Sequence, residues 1–252
     1  VNMSSTVRTK YFKLTAIIDM AGVKFGGIGS VSTPFAGYLD GNSKTISNLT
    51  ISLPYGASAA GLFAAVAGGN YHDLTLASPS ITAATTDNVG SLIGYSTAGT
   101  IASNITVTNA SITGQDYTGA IWGQYTGCFN CGYVGSLTGA AVSGSTISGR
   151  DFTGGMVGSD ISGSTFNLQT SKVTSTSVSG RNRVGGIIGQ RVSGTFAKNY
   201  AIANVTASAS YAGGLIGYWW GNGSVTDSFS RFDGTYGTIN AATDYAGGAI
   251  GY

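Results

Sequence analysis

The chain contains no Glu: all ten acidic residues are Asp, and charged residues make up only 9% of its 252 positions. Ordinary globular domains carry about a quarter. Without Glu, and with few Lys and Arg, the residues that normally coat helix surfaces are missing, which argues against a helical fold. A net charge of +2 gives no field suited to nucleic acid. No stretch approaches the roughly 20 apolar residues of a membrane-spanning helix, so membrane insertion is not expected. Val1-Asn2-Met3 does not open a secretion leader, so the expectation is a removed leader or an excerpt from a longer chain.

Histidine occurs once, at His72, and cysteine twice, at Cys128 and Cys131. A zinc site needs four ligands, so no metal and no cofactor are expected. The lone C-x-x-C has no βαβ surroundings for a thioredoxin-like pair. It reads as a small loop-closing disulfide or as two idle thiols, and weakly favours an oxidising compartment.

What the chain has in abundance is Gly, 41 residues, together with Ser, Thr, Asn, Val, Ile and Tyr. These suit strands and turns. One phrase organises them, clearest as Ala212-Gly213-Gly214-Leu215-Ile216-Gly217-Tyr218. Its last Gly recurs at positions 94, 123, 158, 189, 217 and 251, and Ala60-Gly61-Leu62-Phe63-Ala64 is a degenerate first copy. A loose period near 30 with short apolar runs marks a repeat array, with insertions absorbed by loops.

Two further strand-like runs lie between copies. One carries a polar residue among apolar ones, as in Ile46-Ser47-Asn48-Leu49-Thr50-Ile51 and Asn104-Ile105-Thr106-Val107. The other alternates and ends on a polar turn and an aromatic, as in Ala110 to Tyr117 and Ser145 to Phe152. Period-2 alternation with Gly-bearing turns reads as strand. Three short strands per period give one coil of an all-β solenoid. The expected architecture is about 6–8 coils stacked roughly 4.8 Å apart. The Gly pairs are expected to turn tightly or take positive φ at a corner. Stacked Asn or Asp is expected to form a ladder. Residues 1–45 read as an entry or capping segment, and 46–252 as one continuous array.

The residues leading into the array are distinctive. Tyr11 to Gly22 is followed by Phe25-Gly26-Gly27-Ile28-Gly29-Ser30, then by Pro34-Phe35-Ala36-Gly37-Tyr38-Leu39-Asp40-Gly41-Asn42-Ser43-Lys44-Thr45-Ile46-Ser47-Asn48-Leu49-Thr50-Ile51. This resembles the entry segment of bacterial GLUG-repeat proteins, and the recurring phrase resembles the GLUG motif. Ile17 stands where the family usually has Asp, and Ala64 where it has Gly. The resemblance covers nearly the whole chain. It implies a right-handed, parallel β-helix-like region of a large secreted or cell-surface protein, acting as a stalk, an adhesive segment or a non-catalytic part of a protease. It implies no catalytic residues.

Several residues are candidates for function. Asp87, Asp116, Asp151 and Asp244 recur just before the phrase, and recurrence argues for turns rather than a catalytic pair. His72 has no Cys–His or Ser–His–Asp surroundings in the sequence and reads as a surface residue. From Ile161 to Val225 there is no Asp, while Lys172, Arg181, Arg183, Arg191 and Lys198 fall there, a candidate mild basic face. The aromatics Tyr218, Trp219 and Trp220 follow one phrase, and Phe129 and Tyr133 flank the Cys128–Cys131 stretch. Aromatics on loops can stack on sugars or anchor a protein interface. Trp122 occupies an apolar phrase position and reads as packing.

The functional expectation is a non-catalytic extracellular or cell-surface structural segment that presents loops to a glycan or protein. A filament or viral fibre subunit associating head-to-tail through its ends is the alternative, since the chain stops at Tyr252 with no polar cap. A polysaccharide-active β-helix enzyme is the third reading; it requires an Asp pair on one face.

Overall fold

A computed structural model describes residues 7–53, 56–127, 132–161, 165–191 and 193–252. Apart from the 3-10 turn Val7–Thr9, its regular elements are strands. They form parallel sheets stacked as a β-solenoid of about 7 turns with a period of about 31 residues. Among the described residues, no helix is long and apolar enough to cross a membrane.

The three expected strands per coil divide into five shorter segments. The fourth coil shows them as Val134–Thr138, Ala141–Ser143, Thr146–Ser148, Asp151–Gly154 and Val157–Asp160. The first three join the 18-stranded sheet, the fourth a 5-stranded sheet and the fifth a 6-stranded sheet. Each recurring phrase straddles the last two. Its first Gly closes one sheet and its Ile-Gly pair opens the next, as in Ser210–Gly213 and Ile216–Trp219.

Because pairing is in register, each inward position becomes a column. Ile51, Ile81, Ile112, Ile147, Val178 and Val205 are successive partners and all are buried. Each coil thus adds one β-branched side chain per column, worth about 1.5–3 kcal/mol of apolar burial. Trp122 sits in another such column and is 0% exposed, in keeping with a packing role. Its indole nitrogen donates to Ser96 Oγ at 3.0 Å.

Of the two expectations for the phrase glycines, the chain does bend there between two sheets, but none of them takes positive φ. Gly185 is needed for another reason. A Cβ there would press into the carbonyl oxygen of Ile188 and sit 2.7 Å from the Gly217 nitrogen of the next coil. The phrase is therefore a place where backbones of adjacent coils approach too closely for a side chain.

Positive φ falls instead on non-glycine residues at three corners. Asp73, Asn104 and Asp227 occupy one corner, and Asn48 and Asn109 a second. Asn and Asp tolerate this conformation better than other L-residues. The polar ladder expected at one position is thus split between two corners. Asn104 Nδ2 donates to Asp73 Oδ1 at 2.9 Å, and Asn48 Nδ2 to Asp19 Oδ1 at 2.8 Å. The third corner carries Tyr117, Phe152, Arg183, Tyr211 and Tyr245 at φ of 54–67°.

The entry segment is itself a coil. Tyr11–Lys13 pairs with Tyr38–Asp40, and Ile18–Asp19 with Ile46–Ser47. The strand Tyr38–Ser47 runs across residues 45 and 46 and continues the stack from this entry coil.

Candidate functional site

The third corner builds the most distinctive surface of the molecule. Each of its residues immediately precedes the phrase, and the register places them one above another. Tyr117 and Phe152 stack at 4.7 Å with planes 14° apart. The Arg183 guanidinium lies 4.8 Å from the Phe152 ring and 4.6 Å from that of Tyr218. Tyr211 stacks on Tyr245 at 5.4 Å, and Tyr218 on Tyr252 at 5.3 Å. The two Tyr columns meet edge to face, with Tyr211 5.3 Å from Tyr218.

Two registers combine here. Tyr218 belongs to the register row Tyr95, Gln124, Ser159, Gln190, Tyr218 of the 6-stranded sheet. Arg183 Nη1 crosses to that row and donates to Gln190 Oε1 at 3.1 Å. A groove of about 260 Å³ is lined by Asp151, Phe152, Asn182, Arg183 and Tyr211. Burial, and then the charges of Asp116 and Asp87, push the Tyr117 hydroxyl pKa upward.

A left-handed backbone costs a bulky residue about 1–2 kcal/mol, and an aromatic pair returns about 0.5–1.5 kcal/mol. Stacking therefore offsets much of the backbone cost at this corner, and inter-coil hydrogen bonding and burial supply the rest. Stacked rings cover each other's faces, so the column offers edges, phenol hydroxyls, amides and one guanidinium. That chemistry suits sugar hydroxyls and polar protein surface.

The Asp row beside this corner is an inter-coil clamp, not a set of local turns. Asp87 Oδ1 accepts from the Asp116 backbone N–H at 3.1 Å, and Asp116 Oδ1 from that of Asp151 at 3.2 Å. Arg150 grips Asp116 through Nε at 2.8 Å and Nη2 at 2.5 Å. Arg181 grips Asp151 in the same two-pronged way, and Asn182 Nδ2 adds a bond at 3.0 Å. Burial works against ionisation of Asp151, but Arg181 and Asn182 outweigh it and hold its carboxyl below the usual range.

These contacts take three of the five residues out of the expected basic face. Arg181 is paired with Asp151 and Arg183 is sandwiched between rings. Arg191 is buried inside the coil, with Nη1 3.6 Å from Asp160 Oδ2 and Nη2 donating to the Phe166 carbonyl at 3.2 Å. Burial pushes the Arg191 pKa down, with Asp160 opposing the shift.

The aromatic residues singled out in the sequence separate. Tyr218 joins the ladder. Trp219 is no loop residue: it continues the strand Ile216–Trp219, pairs with Arg191 and packs against the core. Trp220 is 65% exposed just beyond that strand, and Tyr133 is 50% exposed on a different coil, beside Gly99. Phe129, Cys128 and Cys131 lie outside the described residues.

His72 is not an isolated surface residue. Its Nδ1 lies 2.8 Å from Asp73 Oδ2 and 3.8 Å from Asp40 Oδ1. Asp40 also receives Lys13 Nζ at 3.1 Å and the Tyr11 hydroxyl at 3.0 Å, both at Oδ2. Lys13 first, and then the Asn42 backbone N–H and Tyr11, hold the Asp40 carboxyl below its ordinary range against desolvation. Asn104 and His72 do the same for Asp73. The sequence hides this cluster because its members come from three successive coils.

The fold defines the class as a parallel β-solenoid. A solved structure described as a putative immunoglobulin A1 protease from Bacteroides ovatus has a similar fold, with a TM-score of 0.71 at 20% identity. The match covers 96% of this chain and 76% of that one. No protein-family model and no curated protein matches the chain.

Proposed function

We propose that this chain is a non-catalytic structural segment of an extracellular or cell-surface protein, and that its aromatic–guanidinium ladder contacts a glycan or a protein. The observation that carries the reading is the ladder itself. Phe152, Arg183, Tyr218, Tyr211, Tyr245 and Tyr252 form one continuous contact series over successive coils. A rigid array fixes their spacing and lowers the entropy lost on binding. The resemblance to GLUG-repeat segments of secreted proteins supports the same reading.

The Asp row favours a scaffold over a polysaccharide-active enzyme. A glycosidase acid needs a raised pKa to hold its proton. Asp151 is held low by Arg181 and Asn182, and its partners are aligned to bind neighbouring coils rather than substrate. The test is a glycan and surface-protein array probed with the wild-type chain and with the double variant Arg183→Ala/Tyr218→Ala. Loss of the wild-type signals in the variant supports the ladder. Equal signals, or glycan cleavage by the wild type, would overturn the reading.

A further inference from the structure

We infer that Asp40, His72 and Asp73 form a binding site for a divalent transition-metal ion of the zinc class, separate from the aromatic ladder and independent of the function proposed above. One donor atom from each residue lies within 4.8 Å of the other two. Tetrahedral ligands at zinc bond lengths stand about 3.3 Å apart. The two imidazole-to-carboxylate separations, 2.8 and 3.8 Å, straddle that value. Shifts of about half an ångström would admit an ion. The set is one imidazole nitrogen and two carboxylate oxygens, chemistry that suits zinc rather than calcium, whose ligands are all oxygen.

The supporting bonds are those of an oriented ligand shell. Asp73 uses its other oxygen to accept from Asn104 Nδ2 at 2.9 Å. Asp40 Oδ1 accepts from the Asn42 backbone N–H at 2.7 Å. Such partners fix ligand orientation, and losing one typically costs 10–100-fold in affinity. The spot already draws a cation, since the Lys13 ammonium lies against Asp40 with its side chain 51% exposed, free to swing into water. The ion would be held through the Nδ1 lone pair, the ring proton lying on Nε2, and beside the Asp40 oxygen that faces the imidazole rather than the one that holds the ammonium. Three protein ligands leave a fourth position for water.

The cluster is also a local departure from the repeat. The partners of Asp40 and His72 on the following coils are Ser103, Thr138 and Gln169, none of them an imidazole or carboxylate. The pairing of Tyr38–Ser47 with Asn70–Ala77 slips between Asp40 and Lys44, where Gly41-Asn42-Ser43 stand opposite the single residue Asp73, two residues more than in the partner strand. The only His in the chain and this register shift coincide at the same corner.

The test is calorimetric titration of zinc chloride into the chelator-stripped, tag-free chain. One zinc per chain is expected, with affinity lowered at least tenfold in His72→Ala and Asp73→Asn, and about 10–100-fold in Asn104→Ala. Asp73→Asn keeps the side-chain volume and so serves if His72→Ala does not fold. Cys128→Ser/Cys131→Ser is expected to bind as wild type. Absence of zinc binding, unchanged binding in His72→Ala and Asp73→Asn, loss of binding in the cysteine double variant, or equal binding of calcium would each overturn the inference.

Discussion

Replacing Gly185 by Ala isolates the reason the repeated phrase is glycine-rich. The backbone at Gly185 does not have positive φ, so Ala is conformationally allowed. What forbids it is space. The new methyl would drive into the Ile188 carbonyl oxygen and lie 2.7 Å from the Gly217 nitrogen and 2.8 Å from the Ile188 carbonyl carbon. All three are backbone atoms and none can rotate away. Relief requires the two sheets to part, which loosens the bonds from Gly155 N–H to the Gly185 carbonyl and from Gly186 N–H to the Gly213 carbonyl, 3.1 and 3.0 Å long. Overpacking costs about 1–3 kcal/mol, and each weakened hydrogen bond adds about 1 kcal/mol. A loss of about 3–5 kcal/mol is expected, or roughly 6–20 °C in Tm for a chain of this size. Gly248 occupies the equivalent of Gly186 in the last coil, also without positive φ, and a Cβ there meets nothing within 4 Å. Gly248→Ala is expected to be neutral or stabilising by about 0.4–1 kcal/mol. Thermal and urea unfolding followed by circular dichroism would compare the two. Equal midpoints for Gly185→Ala and wild type would refute the close-approach account.

Other outcomes follow from the charged contacts. Asp151 has a folded pKa below its unfolded value, so its stabilisation is present above the unfolded pKa near 4 and lost as pH falls through the folded one. The Tm gap between wild type and Asp151→Asn should therefore narrow as the pH falls below about 4, and a constant gap would contradict the clamp. The buried Arg191–Asp160 pair should cost about 3–5 kcal/mol when only Asp160 is replaced by Leu, and much less when Arg191→Met is added. Additive losses in that cycle, read from denaturant midpoints, would show that the two charges do not act as a pair.

The coil architecture was legible because a solenoid writes its core as a period. The Ile and Val of each strand-like run stack on their equivalents, so pattern and packing are the same fact. Trp219 was misread as a turn residue because it lies next to a Gly-rich turn. Strand alternation from the buried Ile216 would place Tyr218 inward and Trp219 outward, whereas Trp219 packs against the core and Tyr218 joins the ladder, so the local sequence did not carry that signal. The aromatic column was half visible, since Tyr117 and Phe152 recur at the end of one run. Its continuity through Arg183 to Tyr211 needed the register between coils. The His72 cluster was not legible, because its members lie on different coils and meet only through the register that sets Asp40 opposite His72. The phrase glycines do sit at a corner between two sheets, but the reason for glycine there, close approach of backbones, was not legible. Steric crowding between coils leaves no mark in one strand's own conformational preferences.

The central claim is that the ladder, rather than the exposed Trp220 turn, is the contact surface. The direct measurement is a calorimetric titration of the strongest array ligand against wild type, Arg183→Ala, Tyr218→Ala and Trp220→Ala. Buried Tyr and Arg anchors typically each contribute more than about 1 kcal/mol. Arg183→Ala and Tyr218→Ala should each weaken binding by about fivefold or more, and Trp220→Ala should bind as wild type. Binding that is lost only in Trp220→Ala would contradict the account.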